Sequence, residues 1–326
     1  MRGASALFRL ASLAGAAALR NAALVFLKPH AANDACEAFL RGHLSAAGIE
    51  VGPTCVKAAS EIDKRKLIDQ HYGALAQLAM ETQPSEMSIS PVAEEAFAAA
   101  YGLSWSDALP SMLRNDEALT TLGVDGVELE KMWRGGVQVK LAPGTYVSRL
   151  DLSDAPTDAP ADTCFTINGF YPSMRQKFVS EGAAVRCMVC EWDESRVSWK
   201  EFRREVIGAT DPSDAQPGSA RAELLSRWQE LGLASEPNMA LNGVHASAGP
   251  LEGLKERCVW ADASLETDEL ARALLGDAAI DKSTLERWLA ENPVVTLGEV
   301  TDKIFDLTEE ISAASVVELA KSAAKE

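Results

Sequence analysis

The chain has 326 residues, 47% of which are hydrophobic, and a formal net charge of −17 at pH 7. This length is large for one compact domain and small for three, and the apolar content is ordinary for a globular protein. A surface this acidic repels phosphate backbones, so the composition argues against general nucleic-acid binding.

Residues 1–21 contain three arginines and two serines, many alanines and leucines, and no acidic residue. This composition is typical of a mitochondrial transit peptide; the alternative is a retained N-terminal helix that packs on the body of the protein or on a partner. We therefore expect a mitochondrial location, with a cytoplasmic or flagellar location as the alternative. Arg9 and Arg20 interrupt the apolar run, which is too short to span a bilayer, so no transmembrane segment is predicted.

Apolar runs and breaker residues predict a β-α-β-α order in the first part of the chain. Residues 22–27 are expected to form a strand and residues 33–47 a helix. A second strand is predicted from residue 48 to about 57, and a second helix from 60 to about 79, with Ser60 as its cap.

Residues 80–168 interrupt this pattern with a loop rich in Ser, Glu, Pro and Met. Trp105 and Trp133 are predicted to anchor a core there. The expected elements are a loop at 80–90, mostly helix at 91–133 beginning at Ser90-Pro91, a hairpin at 136–150, a polar loop at 151–162 and a strand at 164–167.

The pattern resumes at residue 169. The expected elements are a helix at 171–178, a strand at 183–192, a helix at 198–207 with the capping box Ser198-x-x-Glu201, a short helix at 222–233 containing Trp228, a strand into His245 and a helix from Pro250 to about Val259. Two or three helices are predicted beyond Trp260. One of them begins with the capping box Ser283-x-x-Glu286, and another has an apolar face formed by Val300, Ile304, Leu307 and Ile311.

The cysteines do not form a recognisable metal or disulfide framework. Only Cys187 and Cys190 are spaced as CxxC, and strand alternation places their sulfur atoms on opposite faces. A second pair at metal spacing is absent from the sequence. We interpret all six as reduced thiols, as in a reducing compartment. They are Cys36, Cys55, Cys164, Cys187, Cys190 and Cys258.

Two segments carry the chemical information in this chain. Asn242-Gly-Val-His245-Ala-Ser247 places a histidine between an amide and a hydroxyl, just before a predicted helix. Gly208-Ala-Thr210-Asp-Pro leads to Arg221. The chain has only four histidines. Together these segments resemble the active centre of the nucleoside diphosphate kinases, in which a histidine carries a phosphoryl group between nucleotides.

The resemblance covers about residues 22–79 and 169–262. It implies that His245 is phosphorylated, that Glu256 orients it and that Ser247 supports it with a hydroxyl. Lys28, in the Leu-Lys-Pro step, and Tyr72, in the His-Tyr pair, would act beside it in catalysis. The other nucleotide contacts implied are Tyr171, stacked on the base, Arg204, Thr210 and Arg221 on the phosphates, and Asn242 on the ribose.

The resemblance also implies an α+β fold, the ferredoxin-like βαββαβ sandwich of that family. The N-terminal extension would be residues 1–21. An inserted α+β subdomain would occupy residues 80–168, at the rim of the nucleotide cleft, and a helical C-terminal extension residues 263–326.

The implied reaction is ping-pong transfer of the γ-phosphate from an NTP to an NDP. Its ligands are ATP and other NTPs and NDPs. Mg²⁺ is the implied cofactor, bound through nucleotide phosphates and without protein ligands. Base specificity is expected to be loose. The protein is expected to form a homo-oligomer or to belong to a larger complex.

The chain departs from the family at His30, Arg175, Ala246 and Ala248. The alternative function is a structural or regulatory subunit of a mitochondrial or flagellar assembly, with little or no kinase activity. The long tail, the arginines near the N-terminus and the cleft insertion favour it, whereas retention of the site residues argues against it. Protein-histidine phosphotransfer is a third hypothesis. The sequence lacks GxxxxGK[ST], which excludes a Walker-type kinase.

Overall fold

The computed structural model describes residues 19–142, 144–153 and 164–323. Most of the predicted transit peptide and of the polar loop at 151–162 therefore lies outside the described residues. The strands are β1 (Asn21–Leu27), β2 (Glu50–Val51), β3 (Cys55–Ala58), β4 (Met112–Leu113), β5 (Gln138–Ala142), β6 (Thr145–Arg149), β7 (Phe165–Ile167), β8 (Ala184–Trp192), β9 (Val244–Ala246), β10 (Val294–Leu297) and β11 (Val300–Lys303).

The helices are distributed along the whole described chain. They are α1 (Asp34–Ala46), α2 (Ala59–Lys64), α3 (Leu67–Tyr72), α4 (Ala74–Met80), α5 (Pro91–Tyr101), α6 (Trp105–Ala108), α7 (Asn115–Leu122), α8 (Gly126–Gly135), α9 (Tyr171–Val179), α10 (Trp199–Glu201), α11 (Ala220–Ser226), α12 (Pro250–Trp260), α13 (Glu269–Gly276), α14 (Lys282–Glu291), α15 (Ile304–Thr308) and α16 (Ala313–Ala323). A π-helix covers Phe202–Ile207, and 3-10 turns cover Pro29–Ala31, Pro84–Glu86 and Leu109–Ser111.

An antiparallel sheet in the order β2-β8-β1-β9 forms the centre of the protein, and β3 also pairs with β8. If β2 and β3 are counted as one interrupted strand, the order is second-third-first-fourth. This is the order of a ferredoxin-like βαββαβ sandwich. The structure therefore confirms the predicted α+β class and this strand arrangement.

Each face of the central sheet is covered by helices and buries its own apolar core. On one face, α1 and the segment from α10 to α11 pack on Met188, Cys190 and Trp192. On the other face, α2, α3, α9 and α12 pack on Leu24, Phe26 and Cys187. Cys187 and Cys190 thus face opposite ways, as predicted, and all six cysteines are free thiols.

A second sheet, in the order β4-β7-β6-β5, lies within residues 112–167. Trp105 and Trp133 are buried in two adjacent cores beside it, as expected, and the Trp133 indole nitrogen donates to the Thr166 carbonyl at 3.1 Å. The predicted hairpin is formed by β5 and β6. The assignment of residues 80–168 as an inserted domain stays a prediction.

Several predicted boundaries are wrong because the local backbone conformation interrupts elements that the spacing of apolar residues predicts to be continuous. The helix expected at 60–79 is divided into α2, α3 and α4, since Lys66 and Gly73 have φ values of 52° and 48°. Ser60 lies inside α2, and Ala58 is the cap residue. The second strand is interrupted between β2 and β3 at Gly52-Pro53.

Other corrections concern the second half. The capping box at Ser198 forms as predicted, but the helix continues as the π-helix. α11 ends at Ser226, before Trp228. In the tail, Asp281 rather than Ser283 precedes α14, and the β10–β11 hairpin was not predicted. Val300 lies in that hairpin, not on a helical face with Ile304. Within the described ranges, no helix has the length and apolar character needed to cross a membrane.

Candidate active site

A cavity of about 500 Å³ opens between β9, the π-helix and the turn after α15. It brings together six of the residues predicted from the sequence: Lys28, Arg204, Thr210, Arg221, Asn242 and His245. It is also lined by residues that the sequence did not single out, among them Arg203, Asp214, Glu252 and Glu310. Four basic side chains from three segments of the chain, at Lys28, Arg203–Arg204 and Arg221, therefore line the same cavity as His245.

His245 lies in β9 opposite Phe26 of β1, and its ring stacks on the Phe26 ring with centroids 4.5 Å apart. Its Nε2 is 2.8 Å from Glu256 Oε1, and 21% of the side chain is exposed. Among the described residues, Nδ1 has no hydrogen-bond partner. Burial, followed by the charges of Lys28, Arg221 and Arg203, holds the pKa of His245 well below its usual value. The ring is therefore a neutral imidazole with one nitrogen fixed and one available.

Glu256 is buried in α12 and is held from two sides. Ser247 Oγ donates to Glu256 Oε2 at 2.5 Å, and the same hydroxyl accepts from Leu24 N at 2.9 Å. Burial raises the pKa of Glu256, whereas His71 and the Ser247 hydrogen bond act in the opposite direction. Ser247 thus connects Oε2 of the carboxylate to β1, and the other oxygen, Oε1, contacts His245.

His71 belongs to this network, although the resemblance implies a role only for its neighbour Tyr72. Its ring centroid lies 4.6 Å from that of His245, and its Nδ1 is 3.4 Å from Glu256 Oε1. Burial is the main reason why the pKa of His71 is lowered to about 3. His71 is therefore neutral at physiological pH and contributes a close-packed wall rather than a charge.

Lys28 follows β1 directly, and Arg221 lies at the start of α11. Burial, with the nearby charges of Arg221 and Lys177, lowers the pKa of Lys28 to about 8. Arg221 donates to the carbonyls of Gly208 at 2.8 Å and of Val244 at 2.9 Å, so it supports the strand that carries His245. Its burial also lowers its pKa, to about 10.

The turn after the π-helix requires glycine at residue 208. Gly208 has φ +95°, and a side-chain carbon added there would lie 2.4 Å from Ser219 Oγ. Downstream of this turn, the Thr210 carbonyl accepts from Asn242 Nδ2 at 3.0 Å. Asn242 is 2% exposed, and its Oδ1 is buried without a hydrogen-bond partner. An unpaired buried acceptor beside a cavity fits a ligand that donates a hydroxyl proton.

The turn after α15 supplies one acidic side chain, that of Glu310, to the same cavity. Glu310 Oε2 accepts from Arg204 NH2 at 2.9 Å, and Glu310 Oε1 lies 3.3 Å from Arg203 NH1. Glu309 forms an ion pair with Arg203. Glu310 could not be found from the motif, because the tail lies outside the region that carries the resemblance. Arg203 lies inside that region, next to Arg204, but the resemblance implies no contact for it.

Four predicted site residues do not line this cavity: Ser247, Glu256, Tyr72 and Tyr171. Ser247 and Glu256 are buried behind His245. Tyr72 packs edge-on against His71 and lines a separate cavity of about 500 Å³, which also contains Lys28. Tyr72 is therefore two packing contacts away from the His245 ring.

The prediction that Tyr171 stacks on a base is wrong for this structure. Tyr171 is fully buried, and its hydroxyl donates to Asp69 Oδ1 at 2.6 Å. Arg175 pairs with the same carboxylate at 2.9 Å. Since both residues are committed to Asp69, neither offers a free face or edge to a base.

Three groups in this network have the composition of a metal site. Ligand atoms of His71, His245 and Glu256 lie within 4.8 Å of one another. The contacts among them are those of a hydrogen-bonded histidine–carboxylate network, and a metal there would take the Nε2 that Glu256 holds. We therefore interpret the cluster as a means of orienting His245.

Glu252 precedes Glu256 by one helical turn, and burial followed by the Glu256 charge raises its pKa to about 7 from the usual value of 4.5. A raised pKa favours the protonated carboxyl in the folded protein. The free energy of unfolding therefore falls as pH rises from 4.5 to 7, because the buried carboxyl must ionise. We expect Glu252→Gln to raise the free energy of unfolding at pH 8 by about 1 to 3 kcal/mol. At pH 4.5 the gain should be small. Urea unfolding at both pH values tests this; an equal gain at both would contradict it.

The fold and site together define a ferredoxin-like α+β protein with a histidine–carboxylate pair in a cationic cavity. No family model and no curated protein matches the sequence. Among solved structures, the chain is similar to a nucleoside diphosphate kinase from Encephalitozoon cuniculi, with 14% identity, a TM-score of 0.34 and coverage of 74% of this chain and 88% of that one.

Two further structures show a similar level of likeness. A nucleoside diphosphate kinase from Aquifex aeolicus has 14% identity and a TM-score of 0.32, over 74% of this chain and 94% of that one. An NDP kinase from Pyrobaculum aerophilum has 18% identity and a TM-score of 0.32, over 74% of this chain and 96% of that one. The fold assignment above rests on the strand order.

Proposed function

We propose that this protein is a nucleoside diphosphate kinase that transfers the γ-phosphate of an NTP to an NDP through phospho-His245. The observation that carries the proposal is the His245–Glu256 pair. Its Nε2–Oε1 contact of 2.8 Å fixes one ring nitrogen, while the ring borders a cavity that Lys28 and Arg221 also line. A neutral, oriented imidazole beside converging cations suits phosphoryl transfer, which depends on positioning and charge neutralisation.

In the first half-reaction, the Nδ1 lone pair of His245 forms a bond to the γ-phosphorus. The bond from that phosphorus to the β–γ bridging oxygen breaks, and the oxygen leaves with the NDP. The Nε2 proton stays in the hydrogen bond to Glu256. In the second half-reaction, a terminal β-phosphate oxygen of another NDP attacks the phosphorus, and the N–P bond breaks.

Mg²⁺ enters as part of the nucleotide substrate, where it neutralises phosphate charge. The carboxylates that line the cavity suit direct metal binding poorly. Glu310 is paired with Arg203 and Arg204, and the pKa of Glu252 is raised to about 7. These observations support an ion held through phosphates rather than by the protein.

The unpaired Asn242 Oδ1 supports a sugar hydroxyl at that end of the cavity. With Tyr171 buried, we place the base in the adjoining cavity that shares Lys28. That cavity is lined by Phe170, Met174 and Met239, so its contacts would be largely apolar and tolerant of different bases. Homo-oligomer formation, membership of a larger complex and a mitochondrial location stay predictions.

The proposal is tested by incubating the purified protein with γ-labelled ATP and Mg²⁺. We expect acid-labile, base-stable label on the protein, removed by GDP or CDP with formation of the labelled triphosphate. His43→Gln is the matched control, since His43 contacts the Val206 carbonyl outside the cavity and should leave labelling unchanged. A folded protein that takes no label would instead support the structural or regulatory subunit.

The lowered pKa of Lys28 gives a pH-dependent binding prediction. Because its pKa is about 8 in the free protein, the ammonium is lost as pH rises from 7 to 9. A phosphate chain pairs only with the protonated form, so the Kd for ADP should rise about ten-fold over this range, with proton uptake near pH 8. Titration calorimetry in two buffers measures both the Kd for ADP and the proton uptake. Lys28→Met should remove the pH dependence; a flat wild-type profile would refute the assignment.

A further inference from the structure

The turn after α15 places a carboxylate where the candidate site would bind an anion. Glu310 contacts both Arg203 and Arg204, at 3.3 Å and 2.9 Å, and it lines the His245 cavity with them. Only 22% of its side chain is exposed. Glu310 therefore already pairs with both guanidinium groups, from more than a hundred positions along the chain, and Glu309 supplies the second negative charge through Arg203.

The backbone around Glu310 is held against the loop that follows His245. Glu310 N donates to the Ala248 carbonyl at 3.3 Å. Thr308 approaches Gly249 so closely that a side-chain carbon at residue 249 would lie 2.6 Å from the Thr308 carbonyl oxygen. Thr308 itself is 1% exposed. The Glu310 carboxylate is therefore held at the cavity by a backbone segment that packs against the loop after His245.

Glu310 also adopts a backbone conformation that is unfavourable for its residue type. Its φ is +55°, in the left-handed region, which is unfavourable for a non-glycine residue. The packing of Thr308 and the hydrogen bond to Ala248 hold this conformation. A strained residue whose side chain reaches a candidate binding site is a candidate for a role in binding.

We propose that Glu310 is a specificity-determining residue of this site: its carboxylate occupies Arg203 and Arg204 in the free protein, and a phosphate chain displaces it on binding. A guanidinium pairs with both anions, but a polyphosphate carries more charge and more acceptor oxygens than a carboxylate. Glu310 therefore weakens the binding of every anion and leaves polyphosphate chains as the ligands able to compete. The inference rests on the proposed function only in naming a nucleotide as the natural ligand.

The test measures the affinity of inorganic pyrophosphate for the full-length protein by calorimetry at low salt. We expect Glu310→Gln to lower the Kd about five-fold, since two partly exposed ion pairs no longer compete. Glu309→Gln is the matched control, because it removes the neighbouring charge, which contacts Arg203 but does not line the cavity. We expect less than a two-fold change for it. The gain from Glu310→Gln should shrink in high salt.

An unchanged or raised Kd in Glu310→Gln, with unfolding confirmed to be cooperative, would overturn the inference. Glu310→Asn provides a second variant, because asparagine tolerates a positive φ and removes the charge without added strain. It should also bind pyrophosphate more tightly, and a Kd equal to that of the wild type would likewise count against the inference. Pyrophosphate binding needs no phosphohistidine. The expected change in Kd can therefore be observed even if His245 takes no label, and His245 can take label even if the Kd does not change.

Discussion

Replacing His245 by glutamine should lower the rate of phosphoryl transfer from ATP to GDP by at least about 10,000-fold, because the covalent intermediate can no longer form. Binding should change little. Lys28 and Arg221 line the cavity independently of the ring, and Arg221 is held by backbone carbonyls. The measurements are the steady-state rate and the Kd for ADP of the same preparation.

The control for this variant must exclude general loss of structure. His245 stacks on Phe26 and contacts Glu256, so its removal also disturbs a buried network. Glutamine keeps a polar side chain there, and the unfolding temperature should be compared with that of His43→Gln. Residual transfer within ten-fold of the wild-type rate, in a folded variant, would show that another group carries the phosphoryl.

Glu256→Gln should slow phosphorylation of His245 by about 100-fold while the Kd for ATP changes less than two-fold. The carboxylate accepts from both Ser247 and the His245 ring. An amide retains one acceptor oxygen and replaces the other with a donor. When the NH2 group faces His245, Nε2 must accept and Nδ1 carries the ring proton, so the tautomer with a free Nδ1 lone pair is no longer fixed.

Glu252→Gln is the matched control, because Glu252 lies one turn earlier on α12 and has no contact with His245 among the residues described. Its phosphorylation rate should stay within about three-fold of the wild type, since it alters charge but not the ring contact. Single-turnover labelling separates the chemical step from binding. Equal rates in the two variants would refute an orienting role for Glu256.

The sequence predicted the central part of this fold because its strands are bounded by clear breakers. β1, β8 and β9 lie within about a residue of their expected limits. The segment from 60 to 79 was harder, since an apolar period cannot reveal that Lys66 adopts a left-handed conformation. The β10–β11 hairpin was missed for a related reason: its two strands are only four residues long and partly exposed.

The candidate site likewise contains some residues that the sequence could predict and others that it could not. Residues of the two motif segments, such as Asn242 and Arg221, line the same cavity as His245. The position of Tyr171 depended on alignment across residues 80–168, and tertiary packing turned its hydroxyl toward Asp69. Glu310 carries no local signal, because its relation to Arg204 exists only after the tail folds back.

The packing of Thr308 against Gly249 has a consequence for the order of events during synthesis. The central sheet is complete once β9 has emerged, and N-terminal parts of a chain generally fold first. At that stage Arg203 and Arg204 have no acidic partner from the turn after α15. A nascent chain would therefore pass through a state that binds anions more strongly than the finished protein. This state would end when the last helices leave the ribosome and Glu310 reaches Arg203 and Arg204.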